Sequence, residues 1–307
     1  MSRKLRSAAA AAGLFTVVAL VAAAPATAAE SRACWLAPHA NCAQVNLNWK
    51  LANHGNLRGI TLRKAKLRGA DLRQANLRGA DLRGADLTDA NLAGANLTDA
   101  NLAGANLTNA NLANATLKRA RLAGVKAENS SFRGAELTGA TLRNGDFDNS
   151  SLYGVDLSNA NLSGSNQPPP PPPFSNQKPG RTTSMINVNL WGATLAGANL
   201  TNANLENANL YGVVAPGANF TGALLYSANL DSGLLMGANF TRAFMHASTI
   251  QITAMQGANF TNASLGSVIL MSTNLEGANL TGAIFPMAVW INVRCPRGVI
   301  QSSPCSV

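Results

Sequence analysis

The sequence predicts an all-β chain wound as a solenoid with four short parallel strands per coil. Three observations carry this. A large apolar residue returns every five positions, a small residue stands two places before most of them, and one five-residue phrase returns every twenty. Period five is neither helical nor that of a simple strand. A short extended segment nevertheless puts residues two apart on one face, so the small and the large residue of each unit point inward and the one between them points out.

In the first array the large residues run Leu57, Leu62, Leu67, Leu72 and onward to Leu122. After a weak unit at Ala127 they resume as Phe132, Leu137, Leu142, Phe147, Leu152, Leu157 and Leu162, with Ala65, Ala70, Ala75 and Ala80 among the small partners. The second array sets the size of a coil. Gly-Ala-Asn-Leu/Phe-Thr begins at residues 197, 217, 237, 257 and 277, and twenty residues over a five-residue unit give four sides. Residues twenty apart then stack at the spacing of neighbouring strands, about 4.8 Å. Phe220, Phe240 and Phe260 should form one internal aromatic stack, extended by Leu200 and Leu280. Charged residues are only 12% and aromatics 5% of the 307 residues, which suits a narrow core repeated many times.

The segments flanking the arrays read as follows. Residues 1–29 form an export signal: a basic start (Arg3, Lys4, Arg6), an apolar run from Ala8 to Ala24, and small residues that permit cleavage near Ala28 or Ala29. An uncleaved anchor is the alternative, and no other apolar run is long enough to span a membrane. Removing the three basic residues takes the net charge from +10 to +7. Residues 30–56 form an N-terminal cap with Cys34 and Cys42, and residues 292–307 a C-terminal cap with Cys295 and Cys305. An even cysteine count in an exported chain favours two local disulfides, Cys34–Cys42 and Cys295–Cys305. Between the arrays at 57–165 and 187–291 lies a linker, 166–186, with six prolines at 168–173. Leu162 and Leu190 are 28 residues apart, which breaks the five-residue register. The change of register and composition favours two solenoids on a stiff polyproline spacer over one solenoid with a loop excursion.

Units such as Ala70-Asp71-Leu72-Arg73-Gln74 and Ala95-Asn96-Leu97-Thr98-Asp99 resemble those of the pentapeptide-repeat family, over residues 57–162 and 187–290. The resemblance implies a right-handed quadrilateral parallel β-helix, the hand coming from the family and not from the spacing. It also implies disulfide-bracketed ends like those of exported relatives. Some members mimic DNA and bind type II topoisomerases, but that role depends on an acidic cytoplasmic rod, and this chain is basic and carries an export signal.

Nothing in the sequence points to an enzyme, a cofactor or a metal. The histidines (His39, His54, His246) are scattered, and no metal, nucleophile-elbow or phosphate-loop motif occurs. Asp146 and Asp148 lie on an open outer face, where a carboxylate pair lacks the cleft that shifts pKa values. Three surface features remain. Arg58, Arg63, Arg68, Arg73, Arg78 and Arg83 each follow a central Leu, forming with Lys64 and Lys66 an outward collar that Asp71 and Asp81 partly offset. The collar is a candidate site for an anionic envelope polymer, although a one-sided stripe would suit a polyanion or an anionic surface better; nucleic acid is not expected as a partner. Trp191, Tyr211, Leu224, Tyr226, Phe244 and His246, with Ile269 and Met271, place apolar side chains at outward positions, a candidate protein interface that leaves homo-oligomerisation open. Asn199, Asn219, Asn239, Asn259 and Asn279, with Thr201, Thr221, Thr241, Thr261 and Thr281, line one flat side that resembles an ice- or carbohydrate-binding lattice, although stacked repeats produce such ladders in any case. The leading expectation is a secreted, non-enzymatic interaction or scaffold protein. A flat-face surface binder and a DNA-mimicking topoisomerase ligand are the alternatives.

Overall fold

The computed structural model describes residues 36–47, 54–163 and 183–305. The expected export signal, Cys34 and the proline tract lie outside these residues. Along the described chain one parallel bridge joins each unit to the unit twenty residues on, as in Asn56↔Asn76, Asn76↔Asn96 and Asn96↔Thr116. Four units complete a coil, and we number its sides by their central residues: the first side carries Leu57 and Leu77, the second Leu62 and Leu82, the third Leu67 and Leu87, the fourth Leu72 and Leu92.

The unit of Leu77 shows how all five backbone N–H groups of a unit can be accounted for. In the unit of Leu77, Asn76 donates to the Gly55 carbonyl of the preceding coil at 2.9 Å, while Leu77 and Gly79 donate to Asn96 and Thr98 of the next at 2.8 and 2.9 Å. Ala80 closes the turn onto the Leu77 carbonyl at 2.9 Å. The remaining N–H, that of Arg78, is held by the Asn76 side-chain Oδ1 at 3.3 Å. The recurrent Asn or Asp before the central residue is therefore a brace for the following backbone as well as an outward polar group, and the same bond recurs from Asn96 to Thr98 and from Asn239 to Thr241. The second residue after the central one, Gly79 in this unit, has positive φ, the sign pattern of a type II turn, which explains why Gly, Asn and Asp collect there.

The core is a column of central Leu and Phe residues edged by Ala, nearly all inaccessible. On the second side Phe220, Phe240 and Phe260 stack face to face, with ring centres 4.8 and 5.1 Å apart and planes within 4° and 7°. The expected aromatic stack is thus present. Toward the C-terminal end the fourth side flattens into three parallel strands, β1 (Thr249–Gln251), β2 (Ile269–Met271) and β3 (Val289–Ile291), paired at a shift of twenty. Beyond them β4 (Val293–Arg294) and β5 (Ile300–Gln301) form an antiparallel hairpin stapled by the expected Cys295–Cys305 disulfide.

Two expectations about the ends and the middle are corrected. The first concerns the caps. Asn41 and Asn46 bridge to Thr61 and Lys66, so Cys42 already stands at a central position beneath Leu62. Cys42 is disulfide-bonded; its expected partner lies outside the described residues. Cys295 takes the central position twenty after Leu275, and Asn274 bridges to Arg294. Both caps therefore continue the solenoid, with a buried cysteine standing where Leu would be.

The second concerns the two arrays, which are not separately stacked. Asp146↔Ser184, Ser151↔Asn189, Asp156↔Thr194 and Asn161↔Asn199 carry the ladder across the junction in four successive bridges. Their spacing is 38 residues instead of twenty, so the segment after Ser163 is an eighteen-residue excess at one corner, between the second and third sides. Thr183 heals that corner. Its buried hydroxyl accepts the Asn144 N–H at 3.1 Å and donates to the Ser163 carbonyl at 3.3 Å, standing in for the ladder bond the detour removes.

Candidate functional site

The six collar arginines all lie on exposed first-turn positions, as expected, but most are already paired. Arg73 and Arg83 each chelate the Asp of their own unit, Asp71 at 2.7 Å and Asp81 at 2.6 Å. Arg68 reaches Asp89 at 3.0 Å, and Arg63 and Arg78 lie 3.9 Å from Asp81 and Asp99. Hydrogen bonds from Arg73 and Arg83 hold Asp71 and Asp81 below the ordinary carboxylate range; Asn109 does the same for Asp89, and Arg119 for Asp99. Among the described residues Arg58 has no such acidic partner. The sequence weighed only Asp71 and Asp81 against the collar. Asp89 and Asp99 were missed because they sit a full coil from the arginines they meet.

The outward apolar residues divide between two sides. On the third side Leu224 and Phe244 are bridge partners, and Leu224 is only 9% accessible, so it is not the exposed group its position suggested. Tyr226 stacks on Phe244 and on His246, with ring centres at 6.3 and 5.8 Å. His246 Nε2 lies 2.8 Å from Ser264 Oγ. The ring lies against Gly266, where an added Cβ would crowd it. Burial, aided by the Glu206 charge, pushes the Tyr226 phenol up. This cluster is largely packed upon itself.

The fourth side is different. Trp191 and Tyr211 are 47% and 41% accessible, and they belong to a longer column. Tyr153, from before the detour, meets Trp191 at 5.3 Å and 84°; Trp191 meets Tyr211 at 6.0 Å and 85°. The exposed Arg133 guanidinium lies 5.1 Å from the Tyr153 ring centre and extends the column by one rung. Beside the rings runs a column of amides. Asn189 and Asn209 each brace the backbone N–H of the following aromatic, at 3.1 and 3.2 Å, and Asn209 donates to Asn189 at 3.3 Å. Tyr153 and Arg133 were missed in the sequence because the detour hides their stacking: once its eighteen residues are discounted, 153 falls twenty before 191.

The Asn/Thr side is where the sequence placed it, but its hydroxyl protons are engaged. Thr201, Thr221, Thr241 and Thr261 each donate to the Asn of the same unit at 2.6 Å. Among the described residues no group of three or more His, Cys, Asp or Glu side chains could hold a metal ion, and no helix is long and apolar enough to cross a membrane.

The fold and its outward columns define a repeat-built β-solenoid that offers binding chemistry on its sides. The pentapeptide-repeat model matches eight copies, over residues 56–94, 95–134, 130–166, 183–222, 203–242 and 253–285. The chain belongs to the pentapeptide-repeat family, whose members fold as right-handed quadrilateral β-helices. Among solved structures it is similar to HetL, a pentapeptide repeat protein involved in heterocyst differentiation regulation in the cyanobacterium Nostoc sp. strain PCC 7120. The two share 30% identity over 86% of this chain and 92% of that one, with a TM-score of 0.41. A pentapeptide repeat protein of the Arabidopsis thaliana thylakoid lumen shares 27% identity over 37% and 66%, at a TM-score of 0.19. QnrB1, a plasmid-mediated fluoroquinolone resistance protein, shares 17% over 80% and 91%, at 0.31. No curated protein is similar to the chain at a significant level.

Proposed function

We propose that the protein is an exported, non-enzymatic interaction protein that docks one partner along the fourth side of its solenoid. The observation that carries this reading is the column Tyr153–Trp191–Tyr211, two of whose rings are nearly half exposed and which runs unbroken past the detour. Exposed aromatic rings in line are costly to leave in water and concentrate binding energy when covered. The export signal read in residues 1–29 and the disulfide-bonded Cys42 and Cys295–Cys305 support an extracytoplasmic setting. The collar is a weaker candidate, because ion pairs to Asp71, Asp81, Asp89 and Asp99 mute its field. A DNA-mimic role is disfavoured by the net charge of +10.

The test is binding of the purified mature protein to isolated cell envelopes across a salt series. Wild type is compared with a collar variant (Arg58, Arg63, Arg78 and Arg83→Gln) and a column variant (Tyr153, Trp191 and Tyr211→Ser). Binding should persist as salt rises, survive in the collar variant and disappear in the column variant. Salt-sensitive binding lost only in the collar variant would return the function to the arginines.

A further inference from the structure

We infer that the chain's own proline tract, Pro168 to Pro173, docks as a polyproline II helix on the outer aromatic column of the fourth side; this rests on the docking reading above and gives that site its regulation. The tract lies outside the described residues, but both its ends are fixed. The chain leaves the ladder at Ser163 and rejoins it at Thr183, at the corner between the second and third sides. The same coil goes on through Met185 to Leu190, and so carries Trp191 on its fourth side. One turned five-residue unit, less than about 17 Å even if stretched, separates that corner from the fourth side. The arm from Ser163 to Pro168 reaches about 17 Å, and the arm from Pro173 back to Thr183 about 34 Å. Six consecutive prolines are not needed to close a corner of an unbroken ladder, nor do they hold two arrays apart.

The column fits such a helix in period, shape and hydrogen bonding. Polyproline II repeats every three residues, about 9.3 Å. Tyr153 and Tyr211 stand two rungs apart, about 9.6 Å at the strand spacing, with Trp191 between them. Six prolines make two turns, about 19 Å, enough to meet all three rings when the helix lies along the solenoid axis. Trp191 stands at 84° and 85° to its neighbours, so the column is a series of ridges and slots. Proline rings pack into aromatic relief of that kind, whereas a flat ligand would meet one ring at a time. The Asn189 and Asn209 amides brace backbone N–H groups, which leaves the rings as the contact surface. Among the described residues no acceptor is bonded to the Trp191 indole N–H or to the Tyr153 and Tyr211 hydroxyls. The tract offers carbonyls and no N–H of its own. Arg133 and Asp231 bracket the three rings. Asp231 and Gln251 separate them from the exposed Ile269, Val289 and Ile291 farther along, which stay open to a partner. Tethering selects the occupant: on short arms the tract acts at an effective concentration on the order of mM, so a weak contact suffices. A partner that takes the column must displace it.

The test compares the mature protein with a tract variant, Pro168 to Pro173→Ser. Acrylamide quenching of Trp191 is read in each as the difference from its Trp191→Phe counterpart, with thermal melts showing that all four proteins fold alike. Quenching should rise about two-fold or more in the tract variant, as for a ring covered at least half the time in wild type. A synthetic peptide of residues 164–182 should restore protection saturably, and its Pro→Ser form should not. The tract variant should also bind cell envelopes about three-fold or more tighter than wild type, since the competing state is gone. Equal quenching in the two proteins, or no protection by the peptide, overturns the tract assignment and leaves the docking reading to the envelope assay. Protection in wild type that fades on dilution overturns it in favour of a tract from a second copy. Envelope binding absent from wild type and tract variant alike would end the docking reading, while the quenching still decides the tract.

Discussion

Two aromatic columns run along this solenoid, both held by rungs that repeat on the same backbone, and they have opposite geometry. Inside, Phe220, Phe240 and Phe260 lie nearly parallel at 4.8 and 5.1 Å. Outside, Tyr153, Trp191 and Tyr211 meet edge to face at 5.3 and 6.0 Å. Ring quadrupoles prefer edge-to-face or offset contacts to a flat sandwich. The outer column takes the edge-to-face form because its rings face water and no core wall confines them. The inner column takes the parallel arrangement because Ala198, Ala218, Ala238 and Ala258 and the central residues of the other sides leave only a slot one ring thick. Confinement selects parallel rings inside, and the open surface allows edge-to-face rings outside, so the inner column should carry stability and the outer one recognition.

The largest test of this division is Phe240→Ala. It empties a fully enclosed site between two rings that cannot close on it, and should cost about 3–5 kcal/mol in urea unfolding. Next is Thr183→Val, which removes the hydroxyl bridging Asn144 and Ser163 and leaves two backbone groups unpaired. We expect a loss of about 1–3 kcal/mol, with the outer column's binding reduced as well, since Tyr153 and Trp191 sit on opposite sides of that junction. Trp191→Ala should cost no more than about 1.5 kcal/mol of stability, the scale of an aromatic pair, while removing the binding described above. A stability loss there as large as that of Phe240→Ala would erase the distinction between the columns. The smallest effect concerns acid. Asp71, Asp81, Asp89 and Asp99 are held below their ordinary pKa by their partners. Their contribution is present above the unfolded carboxylate pKa of about 4 and is lost as pH falls below it. Thermal melts should therefore be insensitive to these groups from neutrality to about pH 4 and decline below. Arg73→Gln and Arg83→Gln should blunt that decline, which arises in the first coils and leaves the Phe column untouched.

The coil, its four sides and the Phe220 stack were legible in the sequence because periodicity in a solenoid is spatial adjacency: residues twenty apart touch. The same rule, applied strictly, concealed the rest. Counting broke at the detour, so Trp191 was assigned Tyr211 but not Tyr153, and one ladder was read as two arrays. It stopped at Leu57 and Trp290, although Cys42 and Cys295 keep the twenty-residue register with Leu62 and Leu275. It gave each arginine its position but not its partner, because Arg68 reaches Asp89 across a coil by side-chain length that no spacing records. It placed Leu224 outside, where the backbone does point, without the Phe244 and Tyr226 rings packed beside it.

The healed corner at Ser163 and Thr183 bears on how such a chain is assembled and altered. Closing that coil spans 38 residues instead of twenty, and nearly doubling a loop adds only about 0.6 kcal/mol of chain entropy. Winding can therefore proceed through the junction almost as through any other turn, with Thr183 supplying the stitch. A corner of this kind lets extra chain leave the coil and return at the Thr183 position with every later rung in phase. Registration across the junction is kept by its four bridges, with the Thr183 hydroxyl closing the corner.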